Sequence, residues 1–210
     1  MTTLLLLRHA ESEWNRAGRM QGWAPVGLTD RGREQAAAAG EHIAEEYDVD
    51  GVLASDLRRS ERTAERAAPA GVEPVFQQAW RERDVGVYQG LAYDDIEDRF
   101  PEFGLNEPAA QHADRVPDSG ESLVKLRERV LAAWDAICRD GSEEETVLVV
   151  THGGPIRLVL GHVRGQDLSA ALLSYSPDNC ALAEIEIDTA SDTPAADAEV
   201  RRENVTLGGS

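Results

Sequence analysis

Residues 2–9 have the sequence Thr-Thr-Leu-Leu-Leu-Leu-Arg-His, and this segment indicates the fold class. The segment from Thr2 to Arg8 is a short, continuous apolar run, which is typical of a strand buried on both faces. Such a strand belongs to a parallel sheet that is covered by helices on each side. The run therefore predicts an α/β domain whose first strand ends at Arg8 and His9.

Strand and helix patterns alternate along the rest of the chain. Further strands are predicted at Val49 to Ala54, Pro74 to Gln77 and Thr146 to Val150, with a closing hairpin of Ala181 to Asp188 and Glu199 to Val205. Helices are predicted at Asp30 to Glu46 after the N-cap Thr29, Leu57 to Ala68 before Pro69, Tyr93 to Arg99, Glu121 to Arg139, and from Gly153 with Pro155 in its first turn. This order indicates a three-layer α/β/α sandwich with a mainly parallel central sheet. The 210 residues, 41% of them hydrophobic, suit a single domain over residues 1–207, with 208–210 as a frayed tail.

Several residues with chemical potential follow the predicted strands. In open α/β sheets, ligands bind where strands end and loops begin. Arg8 and His9 close the first strand, Arg59 lies at the start of the helix after the second, Glu82 follows the third, and His152 follows a later buried strand. Two histidines, two arginines and a carboxylate are therefore expected at one edge of the sheet.

These side chains together suit phosphoryl transfer. An imidazole such as that of His9 is a good nucleophile near neutral pH. Two arginines, a second histidine and the amide groups at the Gly153 helix start can hold the charge of a phosphoryl group without a metal. Glu82 can give a proton to the leaving alcohol and later take one from water.

Each of these residues alone has an ordinary explanation. His9 by itself is more often structural, Arg59 could belong to a solvated helix face, and Glu82 by itself carries little signal. Only their joint placement at strand ends favours a site. The other histidines, His42, His112 and His162, are interpreted as surface or structural residues, with His112 the only possible substrate contact.

The charge balance narrows the partners. The chain carries 39 acidic against 21 basic residues, a formal net charge of −18, and such a surface repels nucleic acid and anionic membranes. The longest strictly apolar N-terminal run, Leu4 to Leu7, is too short for a membrane span or a signal peptide, which favours a cytoplasmic protein. Cys138 and Cys180 lack metal-binding spacing and are interpreted as buried thiols.

Two interpretations of the acidic surface remain open. The protein could work in high salt, because the electrostatic screening length falls to about 3 Å at about 1 M salt and the repulsion of an anionic substrate then disappears. It could equally be an ordinary acidic cytoplasmic protein. In either case, a phosphate site on this chain has to be a local positive pocket.

Five sequence blocks, in order, resemble the histidine phosphatase superfamily, also called phosphoglycerate mutase-like, over roughly Leu4 to Asp188. The blocks are Leu7-Arg8-His9-Ala10-Glu11-Ser12-Glu13-Trp14-Asn15, Gln21-Gly22 with Leu28 to Ala36, Ser55 to Ser60 with Thr63-Ala64, Trp80 to Gly90, and Thr151-His152-Gly153-Gly154.

The resemblance implies a role for each predicted site residue. It implies that His9 is phosphorylated, that Arg8 and Arg59 bind the phosphate, and that Asn15 donates a hydrogen bond to it. Glu82 matches the family's proton donor, Gln21 and Gly22 its substrate loop, and His152 and Gly153 the block with the second histidine. Neither a metal nor a cofactor is implied.

Two positions depart from the family pattern. Ala10 replaces the usual glycine after the nucleophile, and a small residue is still expected to fit. Ser60 replaces the common alanine after Arg59, which is expected to change little.

Residues 91–120, interpreted as a substrate-covering insertion, bear on whether the chain is a mutase or a phosphatase, the two activities of the family. Mutases of this family carry an extended segment here, with basic residues that hold a phosphoglycerate. In this chain the segment is short and has eight acidic residues against Arg99 and Arg115. A multiply anionic substrate would find few partners there, so the segment favours a phosphatase acting on a small phosphorylated metabolite. Either arginine could still turn inward.

Three functions remain open from the sequence. The first is hydrolysis of a small phosphomonoester through phosphorylated His9, and the second is phosphoglycerate mutase activity. The third is a non-catalytic phosphoester-binding protein, which ranks last because His9 and Glu82 are both present. The sequence determines neither the substrate nor the oligomeric state, and a homodimer is one possibility.

Overall fold

The structure is a computed structural model that describes residues 1–141, 144–189, 191, 193–195 and 197–207. The predicted tail at 208–210 lies outside the described residues. One sheet contains the strands β1 (Thr2–Arg8), β2 (Gly51–Ser55), β3 (Val75–Gln77), β4 (Thr146–Thr151), β5 (Ala181–Ile187) and β6 (Glu199–Thr206). Their order in the sheet is β3-β2-β4-β1-β5-β6.

The sheet is mainly parallel, as predicted. The pairs β3-β2, β2-β4 and β4-β1 are parallel, whereas β5 runs antiparallel to both β1 and β6. β5 and β6 form the predicted closing hairpin.

Helices cover both faces of the sheet. They are α1 (Glu13–Arg16), α2 (Asp30–Glu46), α3 (Arg58–Ala67), α4 (Tyr93–Arg99), α5 (Glu107–Gln111), α6 (Leu123–Asp140), α7 (Gly153–Val163) and α8 (Leu168–Leu173). Short 3-10 turns occur at Gln78–Trp80, Gly86–Tyr88 and Pro101–Phe103.

The apolar run of β1 supplies both halves of the core. Leu4 and Leu6 belong to a cluster with residues of α6 and α7, and Leu5 and Leu7 belong to a second cluster with residues of α2 and α3. All four leucines are fully buried, because successive side chains of a strand point to opposite faces. This arrangement confirms the predicted three-layer α/β/α sandwich.

Element bounds differ from the prediction where a capping side chain decides them. The helix predicted from Glu121 begins at Leu123, because the Ser122 hydroxyl accepts the backbone N–H of Lys125 at 3.1 Å. Glu121 stays outside the helix and forms an ion pair with Arg129. The short helices α1, α5 and α8 were not predicted, since four to six residues show too little periodicity.

Both predicted thiols are free and buried. Within the described ranges, no helix combines the length and apolar character that crossing a membrane requires. The described residues also contain no group of three or more His, Cys, Asp or Glu side chains that could hold a metal ion.

Candidate active site

The two predicted site histidines leave the sheet side by side. Arg8, the last residue of β1, pairs with Thr151, the last residue of β4, so His9 and His152 follow at the same edge. Their ring centroids are 5.1 Å apart in an edge-on arrangement, and both side chains are buried. The register of two neighbouring parallel strands therefore creates the histidine pair.

The hydrogen bonds of His9 assign its tautomer. Its Nδ1 lies 2.8 Å from the carbonyl oxygen of Ala10, which can only accept, so Nδ1 carries the hydrogen. The lone pair is then on Nε2, which accepts a hydrogen bond from Nε of Arg59 at 3.2 Å. Burial, followed by the charges of Arg59 and Arg8, lowers the pKa of His9 well below its usual range. His9 is thus a neutral imidazole with a nucleophilic nitrogen at physiological pH.

Two arginines flank His9, of which Arg59 is buried and Arg8 half-buried. Arg59 donates from NH2 to the carbonyl oxygen of Gly22 at 2.9 Å, and burial lowers its pKa to about 10. Arg8 donates from NH1 to the carbonyl oxygen of Pro177, while its buried Nε has no partner. Neither arginine forms an ion pair with a carboxylate in the part of the chain that the structure describes. Both therefore have charge available for an anion.

His152 lies behind His9 and is fully buried. Its Nε2 is 2.8 Å from the Ser55 hydroxyl and 3.2 Å from the Ser60 hydroxyl, and its Nδ1 has no partner. Burial and the charge of Arg59 are the two largest causes that lower the pKa of His152 well below its usual range. The Ser60 hydroxyl, which stands where alanine is common, thus contacts the second histidine, and the expectation that this replacement changes little stays a prediction.

Glu82 lies against the N-terminus of α7. Its Oε2 accepts the backbone N–H of Gly154 at 3.0 Å, and its Oε1 accepts its neighbour's backbone N–H, that of Arg83, at 2.8 Å. A Cβ at position 154 would come within 2.2 Å of Oε1, so only glycine lets the carboxylate approach this closely. The helix-start amide was expected to face the phosphate; at Gly154 it instead binds the predicted proton donor.

These residues surround one pocket of about 320 Å³. Eight of the nine predicted site residues line it: Arg8, His9, Asn15, Gln21, Gly22, Arg59, Glu82 and Gly153. The ninth, His152, is not among the lining residues and contacts His9 from behind instead.

The side-chain amide oxygens of Asn15 and Gln21, two residues predicted to bind phosphate, accept hydrogen bonds from the protein itself. Oδ1 of Asn15 accepts the backbone N–H of Ser12 at 3.2 Å, and Oε1 of Gln21 lies 2.7 Å from the Ser12 hydroxyl. Their amide NH₂ groups remain to donate toward a ligand. Gly22 has a φ of +48°, and a Cβ there would lie 2.6 Å from Cγ2 of Val85. Glycine therefore allows the turn that presents its carbonyl oxygen to Arg59.

Residues 91–120 form one wall of the pocket, but their two arginines are not among the lining residues. The pocket-lining residues from this segment are Tyr93, Glu97, Phe103, Gly104 and Leu105. Arg99 stacks over Phe100, and Arg115 forms an ion pair with Glu102 at 3.3 Å. His112, considered as a substrate contact, is exposed and is not one of the lining residues.

Alanine after the nucleophile fits the observed backbone. Ala10 is fully buried, and it does not belong to the non-glycine residues with positive φ. Its N–H donates to the Thr63 hydroxyl at 3.0 Å, and that hydroxyl donates to the carbonyl oxygen of Arg59 at 2.7 Å. The nucleophile's chain segment and the start of α3 are thus connected.

Sequence reasoning missed several residues that hold or line the site. Asn179 donates to the carbonyl oxygen of His9 at 2.9 Å, because the turn before the antiparallel β5 returns to the end of β1. Arg157 also lines the pocket. Its position four residues after Gly153, on the same face of α7, was a usable signal.

Comparisons with known proteins agree with this geometry. A sequence model of the histidine phosphatase superfamily (branch 1) matches residues 4–195. The metal-independent phosphoserine phosphatase of Arabidopsis thaliana is 33% identical over 178 residues, which cover 84% of this chain and 74% of that protein. A 2,3-bisphosphoglycerate-dependent phosphoglycerate mutase of Staphylococcus carnosus is 32% identical over 197 residues, covering 79% and 86%.

A solved structure, Bacillus stearothermophilus YhfR, has a TM-score of 0.82 and 29% identity over 97% of both chains. This chain belongs to the histidine phosphatase superfamily (branch 1), whose members are phosphatases and mutases.

Proposed function

We propose that this protein is a phosphatase that hydrolyses a small phosphomonoester through a phosphohistidine on His9. The observation that carries the proposal is the neutral His9, whose Nε2 bears the lone pair and lies 3.2 Å from Nε of Arg59 in a pocket of about 320 Å³ that Arg8 also lines. That volume suits a small phosphorylated metabolite. Nothing in the mechanism requires a cofactor.

In the first step, Nε2 of His9 attacks phosphorus and the bond from phosphorus to the ester oxygen breaks. Arg59 and Arg8 neutralise the charge on the phosphoryl oxygens, and Asn15 donates to them. Glu82, in its protonated form, transfers its proton to the departing alkoxide, so a neutral alcohol leaves.

In the second step, water attacks the phosphohistidine. Glu82, now a carboxylate, takes a proton from the water as the new P–O bond forms and the P–N bond to His9 breaks. Inorganic phosphate is released and Glu82 is protonated again. The same carboxyl group thus serves both half-reactions in turn.

Two observations favour water over a second phosphoester as the acceptor. Neither arginine of residues 91–120 lines the pocket, and an acidic side chain, Glu97, does. One relative is named a metal-independent phosphoserine phosphatase. The mutase alternative is supported by the relative named phosphoglycerate mutase.

The proposal is tested by measuring phosphate release from p-nitrophenyl phosphate and a panel of sugar and acid phosphates at several salt concentrations. Turnover by the wild type and its loss in His9→Ala are expected. His112→Ala, which removes an exposed histidine, serves as the control. Folded wild-type protein that releases no phosphate from any compound would refute the proposal.

The role of Glu82 has its own test. Glu82→Gln cannot give a proton, so we expect turnover to fall most for esters with poor leaving groups and least for p-nitrophenyl phosphate. An equal loss across all leaving groups would contradict the assignment.

The phosphatase and the mutase differ in the products that they form from 2-phosphoglycerate. If the protein is a phosphatase, incubation with 2-phosphoglycerate and a bisphosphoglycerate primer is expected to yield free phosphate faster than 3-phosphoglycerate. The reverse balance would establish the mutase and overturn the phosphatase.

A further inference from the structure

Arg157 is a third available cation in the pocket, and the mechanism does not use it. It lies on α7, four residues after Gly153, and lines the pocket together with Glu82 and Arg8. Its buried Nε has no hydrogen-bond partner, and its NH1 donates to the carbonyl oxygen of Leu172 at 3.2 Å. Much of the guanidinium therefore remains free to bind a ligand.

The fourth arginine of the pocket, Arg83, differs in this respect. Its guanidinium donates to the carbonyl oxygens of Glu121 at 3.0 Å and Phe103 at 3.1 Å, so its role is to hold chain segments together. Neither arginine forms an ion pair among the described residues, but Arg157 donates to one carbonyl oxygen where Arg83 donates to four. A half-buried cation without an anion is costly, and a bound anion would compensate it.

The surroundings of Arg157 place it on the leaving-group side of the pocket. Arg157 lies one helical turn after Gly154 on α7, and the backbone N–H of Gly154 donates to Oε2 of Glu82 at 3.0 Å. Burial lowers the pKa of Arg157, and the two largest charges acting on it are those of Glu82 and Arg8. Glu82 is the group that protonates the alcohol. This adjacency to Glu82 favours a contact of Arg157 with the alcohol part of a substrate.

Building on the proposed phosphatase function, we infer that Arg157 binds a carboxylate on the alcohol part of the substrate. A single guanidinium matches a carboxylate through two parallel hydrogen bonds and balances its single charge. A second phosphate group would bring about two negative charges into a pocket that Glu97 also lines. The cation that would bind the carboxylate, Arg157, belongs to α7, whereas residues 91–120 contribute no arginine to the pocket lining.

The test compares substrates that differ only in the carboxylate. The first pair is O-phosphoserine and phosphoethanolamine, and the second is 3-phosphoglycerate and glycerol 3-phosphate. We expect the wild type to have a higher kcat/KM for the carboxylate-bearing member of each pair. Arg157→Gln should reduce that value about 10- to 100-fold, the usual effect of losing a charged hydrogen bond. For p-nitrophenyl phosphate, which lacks a carboxylate, kcat/KM of the same variant should fall much less.

Arg164→Gln is the matched control. Arg164 lies at the end of the same helix, is exposed and pairs with Glu203 at 2.6 Å, so its loss changes the net charge equally without touching the pocket. This variant should keep the wild-type preference. Arg157→Lys should restore part of the preference, because it keeps the charge but not the two-pronged geometry.

Three outcomes would overturn the inference. One is a wild type that does not prefer the carboxylate-bearing member, and this comparison needs no variant to fold. The second is an equal loss on p-nitrophenyl phosphate in Arg157→Gln, which would assign Arg157 to the phosphoryl group. The third is a preference for 2,3-bisphosphoglycerate over 3-phosphoglycerate, which would identify a second phosphate as the bound group. All three leave the proposed phosphatase intact, whereas failure of that function would appear as no hydrolysis of any compound.

Discussion

Burial determines the protonation state of the two site histidines. His9 and His152 are 3% and 0% exposed, and the pKa of each is lowered well below its usual range. The chain thereby keeps both imidazoles neutral next to two arginines. A neutral imidazole can act as a nucleophile, but keeping it neutral lowers the stability of the folded protein at acidic pH.

The cost is measurable as a pH dependence of stability. Below about pH 6.5 the unfolded chain protonates both histidines while the folded protein does not, so each lowers the free energy of unfolding by about 1.4 kcal/mol per pH unit. We expect the free energy of unfolding to fall more steeply between pH 6.5 and 5 in the wild type than in His9→Ala. Identical slopes in urea titrations of the two proteins would contradict the neutral state of His9.

Ser60 illustrates how a single position gains a role from the fold. In the sequence it is only an unusual residue after Arg59, but its fully buried hydroxyl lies 3.2 Å from Nε2 of His152. Nothing in local sequence predicts that contact, because the two residues are 92 positions apart. It depends on how α3 packs on β4.

The two serines that contact His152 should differ in effect. Ser55 lies closer, at 2.8 Å, than Ser60 at 3.2 Å, so Ser55→Ala is expected to reduce kcat more than Ser60→Ala. For Ser60→Ala we expect about a threefold to tenfold loss, the usual effect of one neutral hydrogen bond. Steady-state kinetics should show the loss in kcat, with KM for p-nitrophenyl phosphate nearly unchanged. A larger loss for Ser60→Ala would reverse this ranking.

At the scale of elements, α6 holds the segment that carries the proton donor. NH1 of Arg129 donates to the carbonyl oxygens of Gln78, Ala79 and Arg81 at 3.1, 2.8 and 3.0 Å, and its NH2 donates to that of Glu82 at 3.3 Å. One guanidinium therefore binds four carbonyl groups of a segment that has little regular structure of its own.

Removing this guanidinium should loosen the Glu82 segment. Arg129→Met removes the donor of these part-buried carbonyl groups and the cation paired with Glu121, and it is expected to lower the free energy of unfolding by about 3 kcal/mol. It should also reduce turnover of esters with poor leaving groups more than that of p-nitrophenyl phosphate. Lys125→Met, one turn earlier on α6 and exposed, makes the same charge change and should affect neither. Thermal unfolding and the two-substrate comparison test both parts, and equal losses on both substrates would exclude a positioning role.

Elements with strong local signals were predictable to the residue. The predicted and observed bounds coincide for β1 and α2, where a continuous apolar run and the Thr29 cap define them. The convergence of Arg8, His9 and Glu82 followed from strand order, because parallel strands end at one edge. The roles of Arg129 and Arg157 did not follow, because each depends on where a helix packs and which way a long side chain turns.

At the scale of the whole molecule, a net charge of −18 surrounds a cationic pocket. An ordinary arginine-lined phosphate site binds more weakly as salt increases, since salt screens the attraction. Here the long-range field of the protein is repulsive for a phosphoester, while Arg59 is buried and Arg8 half-buried, so their contacts with a bound phosphate are less screened. Salt should thus remove repulsion more than attraction.

We therefore expect KM for a phosphoester to stay constant or fall as KCl rises from 0.1 to about 2 M, where the screening length is only a few ångströms. Asp94→Asn with Asp98→Asn removes two exposed acids on α4, beside the pocket, and should lower KM at 0.1 M KCl and flatten its salt dependence. Glu45→Gln with Glu46→Gln, at the end of α2 near the start of β2, makes the same charge change at the opposite edge of the sheet and should have a smaller effect.

A KM that rises steadily with KCl in the wild type would show that the local attraction of the pocket outweighs the repulsive field. The acidic surface would then give no advantage in high salt to substrate binding.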